Sequence, residues 1–190
     1  MKTVTIHQPN FMPWYPFFQK IEQADIFVIL SHCQYEKGGF QNRFNIGDNW
    51  FTLSANKGLE PIVDKNYLNP LSDWQKIKNK LPEYSEILNL FDNCISEKLK
   101  DTNSKIIQKI IDLLGLKTIV YHDFPTNKTK EDRLIEICEL HKADKYISGI
   151  SGKNYMDLNK FKEKNIEVIF QEPDQMIKKP ILQILKEKYV

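Results

Sequence analysis

Apolar runs without polar alternation recur along the chain and predict strands that are buried on both faces. The clearest run spans residues 26–30, and a β-branched run opens the chain at residues 4–6. Between them, Phe17, Phe18 and Ile21 recur at the spacing of a helix. A strand, a helix and a second strand within about thirty residues form a βαβ unit, which is right-handed in nearly all proteins. The opening of the chain therefore predicts a parallel sheet.

The same alternation of strand and helix patterns resumes after residue 115. Three further strands are expected, at residues 118–121, 145–148 and 167–170. Helical patterns at residues 134–140 and 158–164 separate them, and a last helix is expected to begin near Pro180. These segments extend the parallel sheet that the first thirty residues predict.

The middle of the chain follows a different pattern, which predicts a small antiparallel insertion. Turn signals at residues 38–39 and 47–49 lie beside strand patterns at residues 44–46 and 50–54. Glycine-containing turns between short strands are typical of β-hairpins. A loop at residues 56–58 is expected to end this insertion.

A helical insertion of three helices is expected within residues 72–114. Pro82 should end the first helix, and the apolar stripe of the second continues to Leu99. The third is expected to begin near Asn103 and to end before Gly115, a residue suited to a C-cap. The apolar stripes of these helices are best explained as core surfaces.

These elements together predict an α/β fold. We expect a three-layer, Rossmann-like, mainly parallel sheet with an antiparallel β insertion and a helical insertion. The chain has 190 residues and no low-complexity linker, so residues 1–190 are expected to form a single domain.

Charge and cysteine content narrow the classes of function. The 27 basic and 25 acidic residues are interspersed and give a net charge of only +2, so no nucleic-acid partner is expected. No apolar run approaches the roughly 18 residues of a membrane span, and the chain begins without a signal-peptide pattern. Three widely spaced cysteines without a C-x-x-C motif indicate neither a disulfide framework nor a metal site. The expected location is the reducing cytoplasm.

A proline-rich loop follows the first strand and carries the first candidate functional residues. Three prolines between residues 9 and 16 restrict its backbone, which favours a pre-organised loop. His7, Gln8 and Asn10 would supply an acid–base group and two amides. Taken singly, His7 is equally well explained as a half-buried structural histidine, and Asn10 as the first residue of an Asx-turn.

Polar residues also follow the other predicted parallel strands. The strand ends are occupied by His7-Gln8, Ser31-His32, His122-Asp123, Ser148-Gly149 and Gln171-Glu172. Histidine stands at three of these five ends although the chain has only four histidines. Ligands of open α/β sheets bind outside the carboxyl ends of the strands, so this edge is the expected site.

Two segments carry groups suited to phosphate. Residues 149–153 could present backbone N–H groups and a lysine to an anion, although they lack the Walker spacing; a plain turn is the alternative. Gln41, Asn42, Arg43 and Lys57 lie in the antiparallel insertion, which could fold over the sheet edge as a lid. Arg43 would suit bidentate recognition of phosphate or carboxylate; a solvated surface arginine is the alternative.

Several segments together resemble the WbqC-like protein family. They are residues 6–14, Lys20-Ile21, residues 24–28, Gln34-Tyr35, Gln41-Asn42-Arg43, Arg133-Leu134-Ile135, and residues 146–149 with Gly152 and Tyr155. The resemblance spans nearly the whole chain. It implies a bacterial cytoplasmic protein associated with surface polysaccharide assembly, such as O-antigen or capsule. Within that setting, transfer of an acyl or aminoacyl group onto a nucleotide-linked amino sugar is the expected reaction.

We therefore expect a transferase in which His7 is the general base and Gln8 and Asn10 complete the catalytic group. The residues expected to bind the sugar nucleotide are Trp14, His32, Gln34, Tyr35, Gln41, Asn42, Arg43, Lys57, Ser148, Gly149, Gly152 and Tyr155. One alternative is a non-catalytic sugar-nucleotide-binding or scaffold protein. Another is a divergent enzyme related to the HxGH nucleotidyltransferases, in which Pro13–Pro16 replaces the histidine pair. The sequence leaves the cofactor, the donor and the oligomeric state open.

Overall fold

The computed structural model describes residues 1–190 except for the side chain of Pro173. The chain divides into two compact units. Unit 1 comprises residues 1–7, 16–30 and 116–177, and unit 2 comprises residues 8–15, 31–115 and 178–190. The single domain expected for residues 1–190 stays a prediction, and each unit is described by itself.

Seven strands and seven α-helices form the regular structure. The strands are β1 (Thr3–His7), β2 (Ile26–Ile29), β3 (Arg43–Ile46), β4 (Asn49–Thr52), β5 (Ile119–His122), β6 (Lys145–Ser148) and β7 (Glu167–Phe170). The helices are α1 (Tyr15–Glu22), α2 (Pro70–Lys80), α3 (Ser85–Asn89), α4 (Leu99–Leu114), α5 (Lys130–Leu140), α6 (Leu158–Glu163) and α7 (Ile181–Tyr189). Short 3₁₀ turns connect several of them, including Ile150–Asn154.

Unit 1 is built on a five-stranded sheet in the order β5-β2-β1-β6-β7, with every neighbouring pair parallel. This confirms the predicted α/β class. Parallel neighbours need crossover connections, and α1, α5 and α6 each lie in the chain between two strands of this sheet. The four residues of β2 are all buried, as the unbroken apolar run predicts.

Alternate strand residues pack against helices on opposite faces of this sheet. Val4 and Val28 belong to the core cluster that includes Ile135 of α5 and Phe161 of α6. Phe27 points the other way, and its ring centroid lies 5.6 Å from that of Phe17 on α1. Because successive strand residues face opposite sides, the sheet separates two layers of helices.

A buried ion pair fixes the segment that follows β5. Arg133 on α5 donates to an Asp123 carboxylate oxygen at 2.9 Å, and both side chains are almost fully buried. The same guanidinium donates to the carbonyl of Phe124 and lies 4.7 Å from the centroid of its ring. A second carboxylate, that of Glu136, lies 3.3 Å from the guanidinium. Arg133 therefore joins α5 to the strand end through contacts that exclude water.

Replacing Arg133 by alanine is expected to lower the free energy of unfolding by about 3 kcal/mol. The variant would leave the Asp123 carboxylate buried without the guanidinium. Lys145→Ala is the matched control, because Lys145 forms an equally short ion pair with Glu167 at 2.9 Å but in a more exposed setting. That change should cost less than about 1 kcal/mol. Urea unfolding would measure both, and equal losses would contradict the structural role of Arg133.

Unit 2 contains the predicted antiparallel insertion, a hairpin of β3 and β4. Gly47 supplies a positive φ of 55° in its turn, a conformation that favours glycine. Phe44 and Phe51 lie opposite each other with ring centroids 5.3 Å apart and form the buried face. Phe11 packs edge-on against Phe44 and against Trp74 of α2. The proline-rich loop thus contributes a residue to the core of unit 2.

The helical insertion follows the sequence pattern in part. Gly115 adopts the left-handed conformation at the end of α4, as predicted. The prediction of a second helix continuing to Leu99 is wrong, because α3 ends at Asn89 and Ile95 is extended. The Thr102 hydroxyl accepts from the Ser96 N–H at 2.9 Å and donates to the Ser96 carbonyl. These two hydrogen bonds stabilise the break before α4.

None of the helices formed by the described residues has the length and apolar character needed to cross a membrane.

Candidate binding pocket

Unit 2 contains an open pocket of about 710 Å³. Its lining residues are Gln8, Cys33, Gln34, Tyr35, Glu36, Lys37, Gly38, Gly39 and Leu59. We call it the glutamine pocket, because amide side chains at two positions line it and a third supports it from behind. Of the residues predicted to form the site, Gln8, Gln34 and Tyr35 line this pocket.

The loop that carries Gln8 is held by backbone contacts. The N–H of Phe11 donates to the carbonyl of Phe40 at 2.8 Å. Asn103 on α4 donates from Nδ2 to the carbonyl of Pro9 at 2.7 Å and to that of Gln41 at 2.6 Å. One buried amide therefore joins the proline-rich loop to the segment after the Gly38-Gly39 turn.

Gln8 is the centre of a chain of hydrogen bonds. Its Oε1 accepts from Gln41 Nε2 at 2.6 Å, and its Nε2 donates to Cys33 Sγ at 3.4 Å. Gln41 is 1% exposed, so its amide lies behind the pocket wall. These contacts set the orientation of the Gln8 amide, which pre-organises it for a ligand.

Tyr67 completes the support behind Gln41. Its hydroxyl lies 2.8 Å from Asn103 Oδ1 and 3.1 Å from the carbonyl of Gln41, and it donates its proton to this pair. Burial raises the pKa of the Tyr67 phenol well above its usual value, while the hydrogen bond to Asn103 acts in the opposite direction. The phenol therefore stays protonated and remains a donor.

One buried acceptor of this network has no hydrogen-bond donor among the described residues, namely Gln41 Oε1. A Cβ added at Gly39 would lie 2.6 Å from this oxygen. Glycine at position 39 therefore lets the turn lie directly against the Gln41 amide. A larger residue there would force the pocket wall to move, since contacts this short are not tolerated.

A buried lysine holds two segments that line the pocket. Lys65 is fully buried, and its Nζ donates to the carbonyl of Gly58 at 2.9 Å and to Glu60 Oε1 at 3.1 Å. The same ammonium lies 4.5 Å from the centroid of the Tyr35 ring. Burial raises the pKa of Tyr35, although Arg43 acts against this effect. Lys65 thereby joins the loop that carries Leu59 to Tyr35.

Arg43 supports the turn at the pocket rim. Its Nε donates to the carbonyl of Gly39 at 3.2 Å, and another guanidinium nitrogen donates to that of Gly38. The guanidinium carbon lies 4.2 Å from the centroid of the Trp50 ring. The sequence predicts either an arginine that binds phosphate or carboxylate, or a solvated surface arginine. The structure shows a third role, since two guanidinium nitrogens donate to backbone carbonyls of the protein itself.

The remaining predicted residues of unit 2 do not line the glutamine pocket. Asn42 donates to the carbonyl of Leu53 at 2.9 Å and so supports the hairpin. Asn10 and His32 are half-buried, while Trp14 and Lys57 are exposed.

Unit 1 holds the other predicted residues. His7 ends β1, with its ring edge-on to Phe17 at a centroid distance of 4.9 Å. Ser148 is buried, and its hydroxyl donates to the carbonyl of Gly149 at 3.2 Å. A Cβ at Gly152 would lie 2.4 Å from Ser148 Oγ, so close packing requires glycine there. Tyr155 is exposed.

The predicted phosphate turn has a different structure from the expected one. Residues 150–154 form a 3₁₀ turn, and Lys153 lies 3.4 Å from a Glu172 carboxylate oxygen. A carboxylate beside the lysine reduces the attraction that this turn offers to an anion. The contacts of Ser148 and Gly152 are packing contacts within unit 1.

Lys20 is a candidate functional residue of unit 1 that sequence reasoning missed. It is 2% exposed on α1, and its Nζ donates to the carbonyl of Ile6 at the long distance of 3.4 Å. Burial lowers the pKa of Lys20 to about 7, and perturbed groups of this kind cluster at functional sites. The sequence signal that could have indicated its burial is its position three residues after Phe17, on the apolar stripe of the helix.

The described residues contain no group of three or more His, Cys, Asp or Glu side chains placed to hold a metal ion.

Comparison with known proteins gives two matches. The sequence model of the WbqC-like protein family matches residues 8–182. The uncharacterized protein Rv1507c of Mycobacterium tuberculosis is 28% identical over 193 residues, an alignment that covers 92% of this chain and 84% of the relative. No solved structure matches the chain.

Proposed function

The chain belongs to the WbqC-like protein family, and on that premise we propose that it is a transferase of bacterial surface polysaccharide biosynthesis. The substrate is a nucleotide-linked amino sugar in the cytoplasm, and the group transferred is an acyl or aminoacyl group. The single observation that carries this proposal is the glutamine pocket. Its volume of about 710 Å³ lies within the usual range of ligand sites, about 300–1,000 Å³.

The chemistry of the lining suits a sugar. The Gln34 amide carries two donor hydrogens and an acceptor oxygen, which match the hydroxyl and acylamino groups of an amino sugar. Gln8 adds an amide that Gln41 and Cys33 hold in place at the pocket wall. Leu59 adds an exposed apolar side chain at the same pocket, suited to the methyl or methylene groups of an acyl substituent. Because Gln8 is already oriented by Gln41, little ordering cost remains for ligand binding.

His7 is the proposed general base of the transfer. It would accept the proton released as the sugar amine attacks the carbonyl carbon of an activated acyl ester or thioester. The C–N bond forms, the bond from the carbonyl carbon to the ester oxygen or thioester sulfur breaks, and the departing group takes up the proton from the imidazolium. An imidazole is the side chain whose ordinary titration range matches this task near neutral pH.

A second candidate function is non-catalytic binding of the same sugar nucleotide. The observation that favours it is the composition of the glutamine pocket, whose lining residues include no histidine. Binding would then require the amides alone. Replacement of His7 separates the two functions, since a binding protein does not need a base.

Ligand-induced stabilisation tests the proposed substrate class. A panel of nucleotide-linked amino sugars, beginning with UDP-N-acetylglucosamine, would be screened by thermal denaturation. A ligand present at about 100 times its Kd stabilises the folded state by roughly 2.7 kcal/mol, which raises the Tm. Gln8→Ala is expected to weaken binding about tenfold, because it removes the oriented amide.

Gln75→Ala is the matched control for this experiment. Gln75 is an exposed glutamine of α2 whose amide binds Asn79, and its loss should leave the shift in Tm unchanged. A panel in which no sugar nucleotide raises the Tm would contradict the proposed function. So would an equal shift in the wild type and in the Gln8→Ala variant.

A further inference from the structure

The solvent face of the β3–β4 hairpin carries an exposed aromatic pair. Alternation along the strands buries Phe44 and Phe51 and turns Trp50 outward. Trp50 is 47% exposed and Phe40 is 51% exposed. Their ring centroids lie 5.7 Å apart with an interplanar angle of 38°. Large aromatic side chains exposed side by side mark interaction sites more often than isolated ones do.

Arg43 joins this pair to the glutamine pocket. Its guanidinium carbon lies 4.2 Å from the centroid of Trp50. Its nitrogens donate to the carbonyls of Gly38 and Gly39, the two glycines that line the pocket. The exposed aromatic surface is therefore continuous with the pocket rim. We call Phe40, Arg43 and Trp50 together the Trp50 face.

Arg43 supplies the positive charge of the Trp50 face. Among the described residues, no carboxylate forms an ion pair with Arg43. Two of the five N–H groups of the fork are used by backbone carbonyls, so others remain for a ligand. An arginine fork recognises carboxylate and phosphate, and a nucleotide-linked sugar supplies phosphate.

We propose that the Trp50 face binds the nucleotide half of the sugar nucleotide, with the base stacked on the aromatic pair and the phosphates beside Arg43. This inference rests on the proposed function, since the sugar half would lie in the adjoining glutamine pocket. Stacking on an aromatic side chain is open to every base, because each has a π face. The Trp50 face thus selects for a nucleotide-linked sugar over the free sugar.

A second sugar ring is the other occupant that an aromatic pair could accept. The position of Arg43 favours the nucleotide, because a cation between the pocket rim and the aromatic pair matches the order sugar, phosphate, base. A neutral disaccharide would place no charge at this point. The order of groups along the surface therefore decides between the two.

Calorimetric titration with three probes tests this inference. UDP-N-acetylglucosamine carries the sugar, both phosphates and the uridine. N-acetylglucosamine 1-diphosphate, the sugar phosphate of this experiment, keeps both phosphates and lacks the uridine, and chitobiose carries two sugars. Wild-type protein is expected to bind the sugar nucleotide about 5- to 150-fold more tightly than the sugar phosphate, which is the range for one stacked base. Trp50→Ala removes one ring of the pair and should lower that ratio toward one without changing the Kd of the sugar phosphate.

Two further variants complete the experiment. Trp50→Phe keeps an aromatic ring and should retain most of the ratio. Leu71→Ala removes an exposed apolar side chain of α2 in the same unit and should behave as wild type.

The possible outcomes separate this inference from the proposed function. An unchanged ratio in Trp50→Ala, or a ratio near one in the wild type, overturns the Trp50 face as a nucleotide site. A loss of chitobiose affinity alone in Trp50→Ala shows that the face binds a second sugar and also overturns it. In each of these cases, the proposed function stands if the protein still binds the sugar phosphate and if Gln8→Ala weakens that binding. If no probe binds, both proposals are wrong.

Discussion

The His7→Ala variant is expected to transfer the acyl or aminoacyl group about 10²- to 10⁴-fold more slowly than the wild type. This is the usual loss when a general base is removed, because the attacking amine must then release its proton to water. The Kd of the sugar nucleotide should change little, since the amides of the glutamine pocket remain. Single-turnover rates measured with saturating sugar nucleotide would give the effect on chemistry alone.

Stability measurements on the same variant would show whether His7 has only a structural role. The His7 ring packs edge-on to Phe17, so its loss also removes a packing contact within unit 1. His141→Ala is the matched control, because His141 likewise packs on an aromatic ring, that of Tyr121. A His7→Ala protein that turns over normally and melts early would show that the catalytic assignment is wrong.

Lys20→Met is expected to raise the free energy of unfolding by on the order of 5 kcal/mol at pH 6. Burial lowers the pKa of Lys20 to about 7 in the folded state, against about 10.4 in an unfolded chain. At pH 6 the wild type must therefore hold a charged ammonium in the core of unit 1. Methionine has a similar length and carries no charge, so the variant avoids this cost.

The pH dependence of this effect has a defined sign. Between pH 7 and about 10.4 the unfolded state binds the Lys20 proton and the folded state does not, so wild-type stability rises with pH. The slope contributed by Lys20 is about 1.4 kcal/mol per pH unit in that window. Below pH 7 both states are protonated and this contribution is constant. The advantage of Lys20→Met should therefore shrink steadily as the pH rises from 7 to 10.

Urea unfolding of both proteins at intervals between pH 6 and pH 10 would measure this difference. Lys162→Met is the control, because Lys162 is an exposed lysine of α6 and its replacement should not alter the slope. A difference between wild type and Lys20→Met that stays constant with pH would contradict the depressed pKa of Lys20. A stabilised variant that has lost transfer activity would instead identify the amine as a functional group kept at a cost in stability.

The strands of the parallel sheet were predictable because burial on both faces leaves an unmistakable pattern. Residues 26–30 are apolar without interruption, and β2 is the fully buried strand that this pattern implies. The hairpin was predictable for a local reason as well, since Gly47 takes the positive φ that its turn requires. The end of α4 followed in the same way from Gly115.

The limits of the middle helices could not be predicted, because an apolar stripe does not show where a helix is interrupted. The break before α4 depends on Thr102, whose hydroxyl binds the backbone of Ser96. A threonine is compatible with a helix interior, and only this contact shows that it stabilises a break instead.

The candidate site was predictable in part. Gln8, Gln34 and Tyr35 line the glutamine pocket, and the loop and the turn that present them carry strong local signals. The place of Cys33 in the pocket beside Gln8 follows only from the fold. The outward position of Trp50 depends on the register of the hairpin, which places it opposite Asn45.

The sequence by itself thus determined the strands of the sheet and of the hairpin, the class of the fold and three of the residues that line the pocket, Gln8, Gln34 and Tyr35. Periodicity, glycine conformation and proline restraint act over a few residues, so they can be read from the chain. Only the tertiary structure decided which partners those residues meet: Arg43 at the turn carbonyls, Gln41 behind Gln8, and Lys20 in the core. The physical reason is that hydrogen bonding and desolvation depend on neighbours distant in sequence, which packing alone selects.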